Sequence, residues 1–88
     1  MKTFFFMGLN PKTVSGVSWK IWKIERQGST ITTWWGPAKL LRRQVLQKGK
    51  LRSKRRRFRS AAAALDFERE LIRKKLTKGY ERTPRRRH

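Results

Sequence analysis

The stretch Phe58-Arg59-Ser60-Ala61-Ala62-Ala63-Ala64-Leu65-Asp66-Phe67-Glu68-Arg69-Glu70-Leu71-Ile72-Arg73-Lys74-Lys75-Leu76-Thr77-Lys78-Gly79-Tyr80 reads as one complete amphipathic helix with both ends marked. Ser60 is placed to cap its start, because a serine hydroxyl can accept from an N–H that the first turn leaves without a partner. Four successive alanines then favour the helix, having almost no side-chain entropy to lose. Gly79 supplies the left-handed residue that ends it, and Tyr80 can fold back on the last apolar turn. At 100° per residue, Ala61, Ala64, Leu65, Phe67, Leu71, Ile72 and Leu76 share one half of the cylinder. Two charged residues interrupt that half, Glu68 and Lys75. They are either a semi-buried pair reaching for the rim or, for Glu68, an acceptor for an indole N–H or an arginine beneath the helix. Such a helix needs a surface to lie on, and no other segment has the pattern of a second helix, so it must cover a sheet.

The strands are sought upstream. Thr3–Leu9 is rich in aromatics and reads as a buried or half-buried strand; Asn10-Pro11-Lys12 and Ser15-Gly16 mark a loop after it. Val17–Arg26 alternates, with Trp19 and Ile21 on one face and Lys20, Trp22, Ile24 and Arg26 on the other. Gln27-Gly28-Ser29 is a tight-turn signal, so Thr30–Gly36 is expected to return antiparallel as a hairpin. On that strand Ile31, Thr33 and Trp35 share one face, and Thr30, Thr32 and Trp34 the other. Both Trp34 and Trp35 therefore cannot enter the same core. Gly36-Pro37 is expected to end the strand, and Ala38–Gly49 to form a short helical turn or an ordered loop. The second half of Lys50–Phe58 reads as a strand leading into the helix. Leu51 and Phe58 differ in parity, which would demand a bulge if both entered one core. The expected architecture is α+β: a small antiparallel β-sheet with one C-terminal helix packed across it. Residues 1–83 form a single domain with an extended basic connection at 38–57, and residues 84–88 a basic tail.

Charge bounds the function. The 88 residues carry 25 Lys and Arg against five acids, a formal net charge of +20. Between Lys39 and Arg59 lie eleven basic residues and no acid. A compact chain so charged repels itself unless a polyanion relieves it. Candidates are DNA, RNA or an anionic membrane face. The helix's polar side mixes acids with bases, which disfavours membrane adsorption, and no stretch approaches transmembrane length. The apolar run at the N-terminus is too short for a signal-peptide core, so a cytoplasmic location is expected, with the nucleoid the natural place in a bacterium.

Cysteine is absent and the one histidine is His88. This argues against a disulfide framework, a thiol nucleophile, a metal site or histidine-dependent catalysis. Asp66, Glu68 and Glu70 are the only clustered acids, and on a helix they point to different sides, so no pair is placed for acid–base or two-metal work. No catalytic residue, metal or cofactor is expected.

What the sequence supports is phosphate neutralisation by Lys39, Arg42, Arg43, Arg52, Lys54, Arg55, Arg56 and Arg57, with one of Trp34 and Trp35 as a stacking platform. If ~6–10 cations meet phosphates, affinity falls by roughly 10³–10⁵ between about 50 and 200 mM salt. Without a free recognition helix, little base specificity is expected. The alternative partner is structured RNA, as for a ribosome-associated protein; other DNA-processing proteins are a further class of partner.

Three segments also resemble the WGR domain, a small module of poly(ADP-ribose) polymerases and of molybdate-metabolism-regulator-like bacterial proteins. Lys20-Ile21-Trp22-Lys23-Ile24 resembles its Lys-aromatic-aromatic-x-Ile strand, and Thr30-Ile31-Thr32-Thr33-Trp34-Trp35-Gly36-Pro37 its Thr-Val-x-x-x-Trp-Gly-Arg strand. Phe58 and Ser60, with Ala64, Glu68, Leu71-Ile72, Lys75 and Lys78-Gly79-Tyr80, resemble its terminal helix. The resemblance spans about Thr3 to Tyr80. It implies an antiparallel sheet with one packed helix and nucleic-acid binding, often near DNA ends, with the motif tryptophan, here Trp35, against the sugar-backbone. The chain departs from the pattern at Pro37, which stands where the motif has arginine, so end recognition by that residue is in doubt. The connection from Gly36 to Phe58 is also longer and more basic.

Overall fold

The expected helix is there, and its ends are held as the sequence marks them. The computed structural model describes residues 1–42 and 44–82 of the chain. Helix α1 spans Ala61–Lys78. The Ser60 hydroxyl accepts from the Ala63 N–H at 3.1 Å. At the other end Gly79 takes φ +117°. The Gly79 N–H donates to the Leu76 carbonyl and the Tyr80 N–H to the Lys75 carbonyl, the paired bonds of a Schellman ending.

Five strands precede it: β1 (Lys2–Leu9), β2 (Val17–Gln27), β3 (Thr30–Leu41), β4 (Gln44–Gln47) and β5 (Arg52–Arg57). All pairings are antiparallel. The spatial order is β1-β2-β3, and β4 and β5 then lie end to end along the outer edge of β3. The hairpin turn is Gly28-Ser29, with Gln27 opposite Thr30 and Gly28 at φ +60°, as the first position of a type II′ turn requires. The loop after β1 is built around Asn10, whose side-chain oxygen accepts from the Lys12 N–H. The Thr13 hydroxyl donates across it, within reach of the Asn10 and Val17 carbonyls.

Two expectations fail between Gly36 and Gly49. The strand does not stop at Gly36-Pro37, and Ala38–Gly49 is neither helical turn nor loop. β3 runs on to Leu41 and turns back into β4, so the segment 38–57 is largely strand rather than a connection. Pro37 is tolerated for a reason visible in its partners. Its carbonyl accepts from the Lys48 N–H at 2.9 Å, on the outer edge of β3. A strand residue's N and O point to the same edge, so the missing N–H falls at the joint between β4 and β5 and leaves the ladder to β2 intact.

α1 lies on the face of the sheet that carries Phe4, Trp22, Ile24 and Ile31, which are buried with Ala64 and Tyr80. Each fully buried large apolar side chain contributes about 1.5–3 kcal/mol. Phe58 and Phe67 pack at one end of this core (4.9 Å between centroids), and Phe6 and Tyr80 at the other (5.1 Å). The helix thus crosses from the β5 side to β1, where Phe5 and Glu81 exchange two backbone hydrogen bonds along the outer edge. A smaller cluster of Ile21, Ala38 and Val45, flanked by Phe5, Trp19 and Leu51, occupies the opposite face. Leu51 and Phe58 therefore serve different clusters, and the bulge that one shared core would demand is unnecessary.

The helix sits rotated from the expected apolar half. Ala64, Glu68, Leu71 and Lys75, spaced i, i+4, i+7 and i+11, run down its inner side. Leu76 is left 48% exposed, and Ala61 is also exposed. Glu68, only 6% exposed, is answered from below: Arg26 Nε lies 3.5 Å from its carboxylate. Arg26 also donates to the Gly28 carbonyl, tying the hairpin turn to the helix. On the outer side, Arg73 engages both carboxylate oxygens of Glu70, and that hydrogen bond holds the Glu70 carboxyl below its ordinary range.

Candidate nucleic-acid interface

Trp34 and Trp35 are neighbours on β3, so the pleat sends them to opposite faces. Both lie outside the two apolar clusters. Trp35 is on the helix side, in register with Trp22 on β2 and Arg52 on β5. Trp22 is 3% exposed and Trp35 36% exposed. α1 covers the first and stops short of the second.

The space beyond the helix is a groove of about 560 Å³ lined by Trp35, Lys20, Lys50, Arg52, Lys75 and Tyr80, among others, and none of its described lining residues is acidic. Each side chain arrives there for a local reason. Lys20, two residues before Trp22 on β2, shares its helix-side face. Arg52 opens β5 opposite Trp35. Lys50 sits at the joint where β4 ends and β5 begins. Lys75 reaches in from the last turns of α1, its ammonium 5.3 Å from the Trp22 ring centroid and 5.1 Å from that of Tyr80. Desolvation, aided by Lys78 and Lys20, lowers the Lys75 pKa from the usual lysine value. Burial pushes the Tyr80 phenol up. The groove therefore combines the exposed indole of Trp35, with half-buried Trp19 also in its lining, and four cations, one of them poorly solvated. Such a site has unspent attraction for an anion.

The remaining candidate residues divide between faces. Lys54 and Arg56 share the helix-side face with Arg52, while Arg55 and Arg57 point to the other, following the register with Thr30–Trp35. Arg56 is partly committed to packing, its guanidinium 5.0 Å from the ring centroids of both Phe58 and Phe67. Arg55 shares a small pocket with Glu25, which weakens its field. Lys39 is exposed on the distal part of β3 opposite Leu46. Arg42 sits in the β3–β4 turn at φ +50°. Arg43 lies outside the described residues, as do the whole of the expected tail at 84–88 and the upper bound of the domain at residue 83. The structure thus brings Trp35 and Arg52 together and sets Trp34, Arg55 and Arg57 on the far side. Sequence reasoning missed Lys20, Lys50 and Tyr80 as site residues. Lys75 alone carried a signal, as a cation in the apolar half of its helix.

Among the described residues no group of His, Cys, Asp or Glu could hold a metal ion, and no helix is long and apolar enough to cross a membrane. What fold and groove define is a small α+β unit, a five-stranded antiparallel sheet with one helix, presenting a cationic, aromatic recess. Comparison of the chain with protein-family models, with curated proteins and with solved structures finds no match.

Proposed function

We propose that the protein binds nucleic acid, DNA in the first place, by neutralising backbone phosphates around the indole of Trp35. The observation that carries this reading is the convergence of Lys20, Lys50, Arg52 and Lys75 on one accessible tryptophan, with no acid among the groove's described lining. Cations alone could be a solvated surface; cations closing round an exposed aromatic ring match the two chemistries of a nucleotide, phosphate and π-face. A WGR-like role belongs to the proposal. Trp35 takes the part of the motif tryptophan, and Arg52, its register partner on β5, supplies a guanidinium beside the indole in place of the one absent at Pro37. Catalysis forms no part of it.

The test is anisotropy titration of labelled blunt duplex, nicked duplex and structured RNA against wild type and Trp35→Ala. Duplex binding is expected, weakened ~5- to 150-fold by the substitution if the indole stacks or packs on the ligand. Circular dichroism establishes that the variant is folded. Equal affinity of a folded Trp35→Ala overturns the groove as the site, and a clear preference for RNA gives the partner to the alternative class.

A further inference from the structure

The face of the sheet opposite α1 is covered by no described element, yet it is not a polar face. Phe5 and Trp19 lie half-buried over Ile21, Ala38 and Val45. Trp34, outside that cluster, lines a separate groove of about 430 Å³ with Lys23, Lys50, Leu51 and Ser53. Lys23 and Ser53 are the register partners of Trp34 on the two neighbouring strands, so the indole is flanked by a cation and a hydroxyl. Lys50 borders this groove and the Trp35 groove alike. Glu25, the one acidic residue of the strands, lies one step beyond Lys23 on this face, in the pocket with Arg55 rather than in the Trp34 groove.

We infer that this open face is a second binding surface, for single-stranded nucleic acid. The bases would stack on Trp34, and the phosphates would run past Lys23 and Lys50. The inference rests on the nucleic-acid reading above and adds to it a second site on the opposite face, sharing only Lys50 with the first. Charge selects the occupant. A second copy of a chain at +20 would bring two strongly cationic bodies together, whereas a polyanion relieves the repulsion. Shape selects the strand form. An indole set within a sheet face offers a flat ring to unstacked bases, which a duplex keeps inside its stack.

The experiment uses the full chain with the Trp35 groove saturated by an unlabelled blunt duplex. Labelled octathymidylate or octauridylate is then titrated in and followed by anisotropy. Single-strand binding is expected to persist beside the duplex. Trp34→Leu, which leaves the charge unchanged, is expected to weaken it ~5- to 150-fold while duplex affinity holds; Lys23→Gln is expected to weaken it as well. Lys20→Gln with Arg52→Gln is expected to weaken duplex binding and leave the single-strand site in place. The deoxy and ribo arms show which sugar is preferred. Complete displacement of the single strand by duplex, or unchanged affinity in folded Trp34→Leu, overturns the second site and leaves the first standing. Loss of both ligands in wild type overturns the nucleic-acid reading itself. Dimerisation of the free protein in sedimentation, abolished by Trp34→Leu, would assign the face to a second copy and overturn the inference.

Discussion

Removing three cations from the Trp35 groove and three from β5 makes variants of equal net charge that should behave differently. Lys20→Gln, Lys50→Gln and Arg52→Gln together bring the formal charge from +20 to +17, and so do Arg55→Gln, Arg56→Gln and Arg57→Gln. If charge alone mattered, the two variants would bind duplex alike. In the structure, the first set lines one recess. The second set is split: Arg55 and Arg57 face away, and Arg56 lies over Phe58 and Phe67. Each lost phosphate contact lowers the slope of log K against log salt by about 0.9 on duplex. The groove variant should therefore flatten the slope by ~2.7, and the β5 variant by roughly 0.9 if only one of its arginines reaches the same duplex. Between about 50 and 200 mM salt, the groove variant would lose ~1.6 fewer decades of affinity than wild type. Anisotropy titrations at four or five salt concentrations measure both slopes. Equal flattening would refute the placement of the site, and an unchanged slope in the groove variant would refute the groove itself.

Four further outcomes concern the fold and its charges. Ser60→Ala removes the acceptor for the Ala63 N–H and is expected to cost ~1 kcal/mol. Gly79→Ala forces a side chain into φ +117° with its Cβ 3.1 Å from Phe6 and is expected to cost ~1–3 kcal/mol, both read by urea denaturation. Glu68→Ala leaves Arg26 without its carboxylate and is expected to cost roughly 1–3 kcal/mol. Glu68→Met alone leaves Arg26 equally unpaired and should recover little of that loss, whereas Glu68→Met combined with Arg26→Met should recover most of it. Lys75 should titrate below the ordinary lysine range in the free protein, because burial disfavours its charge. Its folded pKa lies below its unfolded one, so the folded state binds fewer protons in the interval between them. Its contribution to stability therefore rises with pH across that interval. Saturation with duplex should move the pKa back up, seen as a shifted titration of the Lys75 side-chain resonances; an unmoved pKa would place the phosphates elsewhere.

The helix, the first two strands and the third as far as Gly36 were legible because local chemistry and tertiary demand agree there. Ser60 and Gly79 mark ends that isolated residues can satisfy, and the parities of Val17–Arg26 and Thr30–Gly36 survive in the sheet. The segment from Pro37 to Gly49 was not legible, because proline normally ends a central strand. Only the joint between two partner strands makes Pro37 harmless, and no local pattern announces that joint. The helix rotation escaped for a related reason. Glu68 and Lys75 read as interruptions of an apolar stripe, whereas Arg26 beneath one and the Trp22 and Tyr80 rings beneath the other turn them inward. The Trp35 groove draws on β2, β3, the β4–β5 joint and α1, so its cations were recognisable as cations but not as neighbours.

The shared edge of β3 has one more consequence. β5 is held by its own pairing with Thr30–Trp35 and by the bond from the Phe58 N–H to the Ser29 carbonyl, and nothing in that hold depends on how far the hairpin beyond Pro37 extends. Ala38 and Val45 must stay to root it, but past Leu41 and Gln44 it is a natural graft point. Rungs inserted there two at a time would lengthen the arm without turning a single side chain near Trp35, leaving its reach along a ligand free to vary independently of its grip.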